Sequence, residues 1–169
     1  SSEFNGLNIG IYMPYGMDVA KDINISYNNI QIIGNVSGTH NWGLATGIEA
    51  QTGKVNIYNN YINVTNKDDF VDYHYVIGIS FVQNVYAGTA DTVLDVQNNT
   101  IITTGNYTVW MIHGIEANVT GNTLYAHELF GDDSVKLESE VSGIVKDNYP
   151  PFVDVDVIVE GETAWIGTN

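Results

Sequence analysis

The chain has no cysteine and no arginine, three prolines, and five lysines as its whole cationic complement. Without cysteine there is no disulfide framework, so the fold has to be held by packing; a chain long enough for a core does not need such staples, and the absence is neutral for compartment. The five lysines face 20 acidic residues, for a net charge of -15. Nucleic-acid binding is disfavoured, because neutralising phosphates takes Lys and Arg. Anionic polysaccharides and anionic membrane surfaces are disfavoured for the same reason. No apolar run approaches the roughly 18 residues of a membrane span. Ser1 to Gly10 lacks the basic start and apolar stretch of a signal peptide. An export signal or anchor is therefore expected outside this segment, and no membrane insertion is expected within it.

What is present fits one soluble domain with a real core: 169 residues, 44% of them hydrophobic, with 17 glycines for turns. Its organisation comes from a repeat, aliphatic-x-x-Asn-x-aliphatic. The copies are Ile25 to Ile30, Ile57 to Ile62, Val96 to Ile101 and Val119 to Leu124, with a degraded one at Val145 to Pro150. Alternating apolar residues flank each copy, as Ile23 and Ile25 before Asn28 and Ile30 and Ile32 after it. Period-two alternation puts these on one face of a strand, and the phase shift across the Asn bends the chain there. Two short strands thus meet at an Asn corner. A second motif, Gly followed by Ile or further apolar residues, alternates with the first at Gly10, Gly47, Gly78, Gly114 and Gly143. Successive Asn positions lie 32, 39, 23 and 26 residues apart, laps of variable length around fixed motifs. That is the mark of a solenoid with loop insertions.

The pattern resembles the right-handed parallel β-helix. It predicts an all-β solenoid of about five coils over residues 5–148. Asn28, Asn60, Asn99, Asn122 and Asn148 would stack as an internal ladder. A buried amide must place its donors and acceptor, and a corner offers free backbone groups to do so. Asn also tolerates the left-handed backbone that a tight corner requires. A leucine-rich repeat stacks Asn too, but its leucine spacing and helical return are missing. Tyr149-Pro150-Pro151 interrupts the pattern. Residues 149–169, with an alternating stretch from Phe152 to Val159, are expected to form a C-terminal cap or the start of a following β domain.

Four stretches between the Asn-corner strand and the next Gly-Ile strand read as insertions on one flank: Gly34 to Trp42, Thr65 to Tyr75, Thr104 to Trp110 and Ala126 to Val141. Loops of this kind carry functional residues disproportionately. Aromatic rings beside carboxylates suit a sugar, whose apolar face stacks on the ring while its hydroxyls are hydrogen-bonded. The candidate ligand-binding residues are Trp42, Asp68, Asp69, Asp72, Tyr73, His74, Tyr107 and Trp110; the competing reading is that Trp42 and Trp110 pack beneath their own loops. No cofactor is expected. Asp68, Asp69 and Asp72 offer oxygen ligands to begin a Ca²⁺ site, but the Gly-phased spacing of Ca²⁺ loops is missing and a solvated acidic loop is the plainer reading. The histidines form no close-spaced pair, so no zinc or other metal site is expected. Asn24, Asn35, Asn63, Asn98, Asn106 and Asn118 head Asn-x-Ser/Thr sequons and are glycosylation candidates, though a chain rich in these residues produces sequons by chance.

The Asn-corner and Gly-Ile motifs, rich in Asn, Tyr, Ile and Thr and free of Arg, resemble the β-helix repeats of archaeal adhesin-like surface proteins, those of methanogens above all. The resemblance covers about Gly10 to Asn148. It implies a secreted or cell-surface protein that contacts another cell or a surface polymer. The first reading is an extracellular, non-catalytic module that binds a glycan or a protein of another cell. Two alternatives stand beside it. One is a carbohydrate-active β-helix enzyme, or a phage-type receptor-binding spike. Such an enzyme of the inverting kind needs two carboxyl groups about 6.5–9.5 Å apart; Asp68-Asp69 and Asp132-Asp133 offer pairs, but the polygalacturonase motif set is missing. The other is a purely structural stalk.

Overall fold

In a computed structural model of the protein, the described residues are 8–13, 22–34, 45–51, 53–66, 76–82, 93–105, 107–112, 116–126, 134–138, 141–149 and 155–158. They form fifteen strands: β1 (Asn8–Met13), β2 (Asp22–Ser26), β3 (Asn29–Gly34), β4 (Ala45–Ala50), β5 (Lys54–Tyr58), β6 (Tyr61–Asn66), β7 (Val76–Val82), β8 (Val93–Gln97), β9 (Thr100–Thr103), β10 (Tyr107–Ile112), β11 (Glu116–Thr120), β12 (Thr123–Tyr125), β13 (Val135–Glu138), β14 (Ser142–Lys146) and β15 (Val155–Ile158). From β1 to β14 every third strand joins the same sheet, and β15 then adds to the sheet of β13. Sheet A runs β1-β4-β7-β10-β13-β15, sheet B runs β2-β5-β8-β11-β14, and sheet C runs β3-β6-β9-β12. All pairs are parallel. The protein is a right-handed parallel β-helix, the hand that parallel crossover connections take almost without exception.

Alternation along each strand divides wall from core. In sheet B, Ile25, Ile57, Val96, Val119 and Val145 stack in register and point inward. Sheet C adds the column Ile30, Ile62, Ile101 and Leu124. Sheet A closes the prism with Met13, Ala50, Phe81, Met111 and Leu137, with small Ala50 beside Phe81 in register. The bulk of Phe81, Met111 and Leu137 is fully buried, each worth about 1.5–3 kcal/mol relative to an exposed position.

The corners between sheets B and C hold the predicted ladder. The Asn60 side-chain oxygen accepts from the Asn28 main-chain N–H and from its side-chain amide, both at 3.0 Å. The same pair of bonds joins Asn60 to Asn99, Asn99 to Asn122, and Asn122 to Asn148. Each side-chain amide also donates to a main-chain carbonyl of the preceding coil: Asn60 to Ile25, Asn99 to Ile57, Asn122 to Val96 and Asn148 to Val119. Every buried member is thereby satisfied by its neighbours, the condition for placing amides in a core.

One expectation is corrected. The left-handed residue of the corner is the one before the ladder asparagine: Tyr27 (φ 58°), Asn59 (φ 56°), Asn98 (φ 54°), Gly121 (φ 67°) and Asp147 (φ 56°). The ladder side chain has to point inward, so the residue ahead of it absorbs the reversal.

The glycine motif also divides. Gly10, Gly47 and Gly78 occupy one column of sheet A, and a Cβ on Gly47 would strike the Ile62 side chain at 2.5 Å and the Gly78 carbonyl at 2.6 Å. Glycine is required there by the close approach of sheet C. Thr108 and Ser134 continue the column in later coils, their hydroxyls 2.8 Å apart. Gly143 belongs instead to β14 in sheet B, opposite Ala117; its successor Ile144 faces outward and is exposed. Gly114 lies outside the described residues.

Past the ladder, Tyr149 still bridges to Thr123 in parallel. β15 then pairs with β13 in register, Val135 with Val155 and Leu137 with Val157. Sheet A therefore extends one rung beyond the Pro150-Pro151 interruption.

Candidate functional site

The glycine column has a consequence for the outer face of sheet A. Position 47 points at the sheet C side chains and Ile48 belongs to the core, so two consecutive residues face inward. The alternation slips by one, and residues three apart, such as Thr46 and Glu49, share the outer face. The same slip in β10 brings Tyr107 and Trp110 together, ring centroids 5.7 Å apart at 32°. The second half of the stretch from Thr104 to Trp110 is thus strand and not loop: Tyr107 and Trp110 are residues of the wall.

Register extends these two rows across the sheet. One runs Ile9, Thr46, Ile77, Tyr107, and the other Tyr12, Glu49, Ser80, Trp110, Lys136. Neighbouring members sit one strand spacing apart, about 4.8 Å. Although they face outward, Thr46, Glu49, Ile77, Ser80 and Tyr107 are all buried. Three polar atoms of the rows have no hydrogen-bond partner: the Thr46 hydroxyl, Oε2 of Glu49 and Nε1 of Trp110. A buried polar atom left unpaired costs about 1–3 kcal/mol. They are a hydroxyl, an acceptor and a donor, left unpaired while out of reach of solvent.

Glu49 is held on its other oxygen by the Gln51 amide at 3.1 Å. Burial pushes its carboxyl above the ordinary value, and the Gln51 bond pulls back only in part. At the far end of the row, the Lys136 ammonium lies 5.1 Å from the Tyr107 ring centre and donates to the Tyr107 hydroxyl at 3.2 Å. Register continues the second row past Lys136 to Asp156; among the described side chains of the rows, Glu49 is the only carboxylate.

No protein-family model matches the chain, and neither a curated protein nor a solved structure is significantly similar to it.

Of the sequence candidates, Tyr107 and Trp110 are brought into contact. Trp42, Asp68, Asp69, Asp72, Tyr73 and His74, like Asp132 and Asp133, lie outside the described residues. Thr46, Glu49, Ser80 and Lys136 were not among the candidates. A signal existed: each follows a small-aliphatic-x pattern or flanks it, in Gly47-Ile48-Glu49, Gly78-Ile79-Ser80, Thr108-Val109-Trp110 and Ser134-Val135-Lys136. Among the described residues, no group of three or more His, Cys, Asp or Glu could hold a metal.

The sequons fall in different settings. Asn24 and Asn118 stand on the outer row of sheet B; Asn118 donates to Asp95 and Glu116, both at 2.9 Å, and Asn24 accepts from Asn56 at 2.9 Å. Asn63 stands half-buried on sheet C, and Asn98 is exposed at a corner. Asn35 and Asn106 lie outside the described residues.

Proposed function

We propose that this protein is a non-catalytic, extracellular adhesin-type module that binds glycan through the outer rows of sheet A. The observation that carries the reading is the Tyr107–Trp110 pair, set in line with Ser80 and Glu49 and beside three unpartnered polar atoms. Aromatic surface with a few fixed polar groups is what a saccharide site is made of. Register places two carboxylates in the Trp110 row, Glu49 and Asp156, four rungs or about 19 Å apart. That spacing favours holding over hydrolysis, since inverting cleavage takes two about 6.5–9.5 Å apart. The partner is a glycan on another cell or in its surface polymer, and the protein is exported to meet it.

The test is a panel of immobilised glycans and cell-wall polysaccharides, scored for retention and for released sugar. Retention lost in Trp110→Ala, with unchanged circular dichroism, is expected. Released sugar overturns the non-catalytic reading, and the site is overturned if no glycan of the panel loses retention in Trp110→Ala.

A second reading, a structural stalk, is favoured by the way sheet A takes up β15 beyond two prolines. Under it Trp110→Ala changes nothing and no polymer is retained.

A further inference from the structure

Among the described residues, the strands of sheet C differ from those of the other two sheets in carrying no charged side chain. Strands β3, β6, β9 and β12 read NIQIIG, YINVTN, TIIT and TLY, without one Asp, Glu or Lys. The protein around them carries a net charge of -15. Sheet B, by contrast, places Asp22, Lys54, Asp95, Glu116 and Lys146 on its strands.

The uncharged face is open and aromatic. Asn29, Tyr61, Thr100 and Thr123 form one outward row in register, and Tyr149 extends it through its bridge to Thr123. A parallel row holds Gln31, Asn63, Ile102 and Tyr125. Tyr61, Tyr125 and Tyr149 are 37%, 44% and 58% exposed. Tyr125 and Tyr149 stand edge to face, centroids 6.3 Å apart. From Tyr61 to Tyr149 is three rungs, about 14 Å along the solenoid axis.

We propose that this face binds an uncharged polysaccharide laid along the solenoid axis, at a site separate from the Trp110 row. Rings offer stacking surface to the apolar faces of sugars, and the amides and hydroxyls between them exchange hydrogen bonds with sugar hydroxyls. Charge selects the class. An anionic polymer is repelled by the whole molecule, and a cationic one is drawn to the acidic faces instead. A second copy of the chain would bring two bodies of charge -15 together. A neutral polymer meets none of these terms, and it is an extended ligand that matches an extended row. The proposal widens the glycan-binding reading to a second face, and each face is broken by its own variant.

The test uses the full chain on insoluble uncharged polymers (glucan, mannan and chitin), with polygalacturonate as the anionic control. The key variant is Tyr61→Thr with Tyr149→Thr, because threonine already fills that row at Thr100 and Thr123 and is compatible with the strand. Retention on at least one uncharged polymer is expected, weakened about tenfold in the double variant by loss of two stacking rings, unchanged in Trp110→Ala, and absent on polygalacturonate. No retention on any uncharged polymer overturns the proposal. So does retention that follows Trp110 rather than the tyrosines, which assigns the binding to sheet A alone. A dimer seen by light scattering that dissociates in the double variant also overturns it, since the face is then covered by a second copy.

Discussion

Two stacks of polar side chains run along this solenoid, one inside and one outside. Inside, Asn60, Asn99, Asn122 and Asn148 are each at most 5% exposed and are tied to main-chain carbonyls of the preceding coil. Outside, on sheet B, Asn24, Asn56, Asp95 and Asn118 occupy the same register. Their side chains bond one another, Asn56 to Asn24 and Asn118 to Asp95, both at 2.9 Å. The geometry of stacking is alike; what differs is whether water can replace the partner. Inside it cannot, and the backbone at each corner depends on the amide. Outside it can, and the stack is an ornament of the coil spacing.

The largest expected effect tests that difference directly. Asn99→Ala removes the acceptor of the Asn60 main-chain and side-chain N–H groups and strips donors from the Ile57 and Gln97 carbonyls. Several buried groups lose partners at once, so unfolding in urea should show a loss of about 3–4 kcal/mol. Asn56→Ala, its outside counterpart, should cost less than about 0.5 kcal/mol. Equal losses at the two positions would end the distinction.

Space inside the prism gives the next effect. Gly47→Ala sets a methyl against the Ile62 side chain and the Gly78 carbonyl, an overpacking that costs about 1–3 kcal/mol. At the boundary between inside and outside, the corner residue Tyr27 is 78% exposed yet holds φ 58°. The equivalent positions are Asn59, Asn98, Gly121 and Asp147, residues suited to that conformation. Tyr27→Asn should therefore raise the thermal midpoint, a gain of up to about 1 kcal/mol, reduced by loss of its edge contact with Tyr58. A loss of stability in Tyr27→Asn would mean that the aromatic contact, and not the backbone, governs the corner.

The inside of the molecule was legible in the sequence because it repeats. Aliphatic-x-x-Asn recurs in every coil, since each ladder position has the same neighbours above and below. The left-handed residue was misplaced by one because the asparagine at 28 or 60 carries the visible signal, while the strained position varies from Tyr27 to Asp147. β10 was read as loop for a related reason: Thr108 replaces the glycine that marks sheet A in earlier coils, so the motif disappears while the strand persists. The outer rows were hardest to see. Glu49, Ser80, Trp110 and Lys136 have nothing in common as residue types; what they share is the place two residues after Gly47, Gly78, Thr108 and Ser134, which register turns into a row.

Glu49 gives the smallest effect and the sharpest test, because it faces outward by register yet is buried like an interior group. Burial raises its carboxyl above the ordinary 4.5, with the Gln51 bond opposing. The folded protein then keeps this proton to higher pH than the unfolded chain does. The resulting stabilisation is complete below the unfolded value and is lost as pH rises through the folded one. Relative to Glu49→Gln, which cannot ionise, the protein should lose stability as pH climbs from about 4.5, then run parallel once the carboxyl is ionised in both states. Urea midpoints of the two proteins across that range measure the difference. A protein that instead gains on Glu49→Gln as pH rises would have its carboxylate held ionised by a cation or donor. In that case the outer row of sheet A is a completed ion-pair network rather than a site that still lacks its ligand.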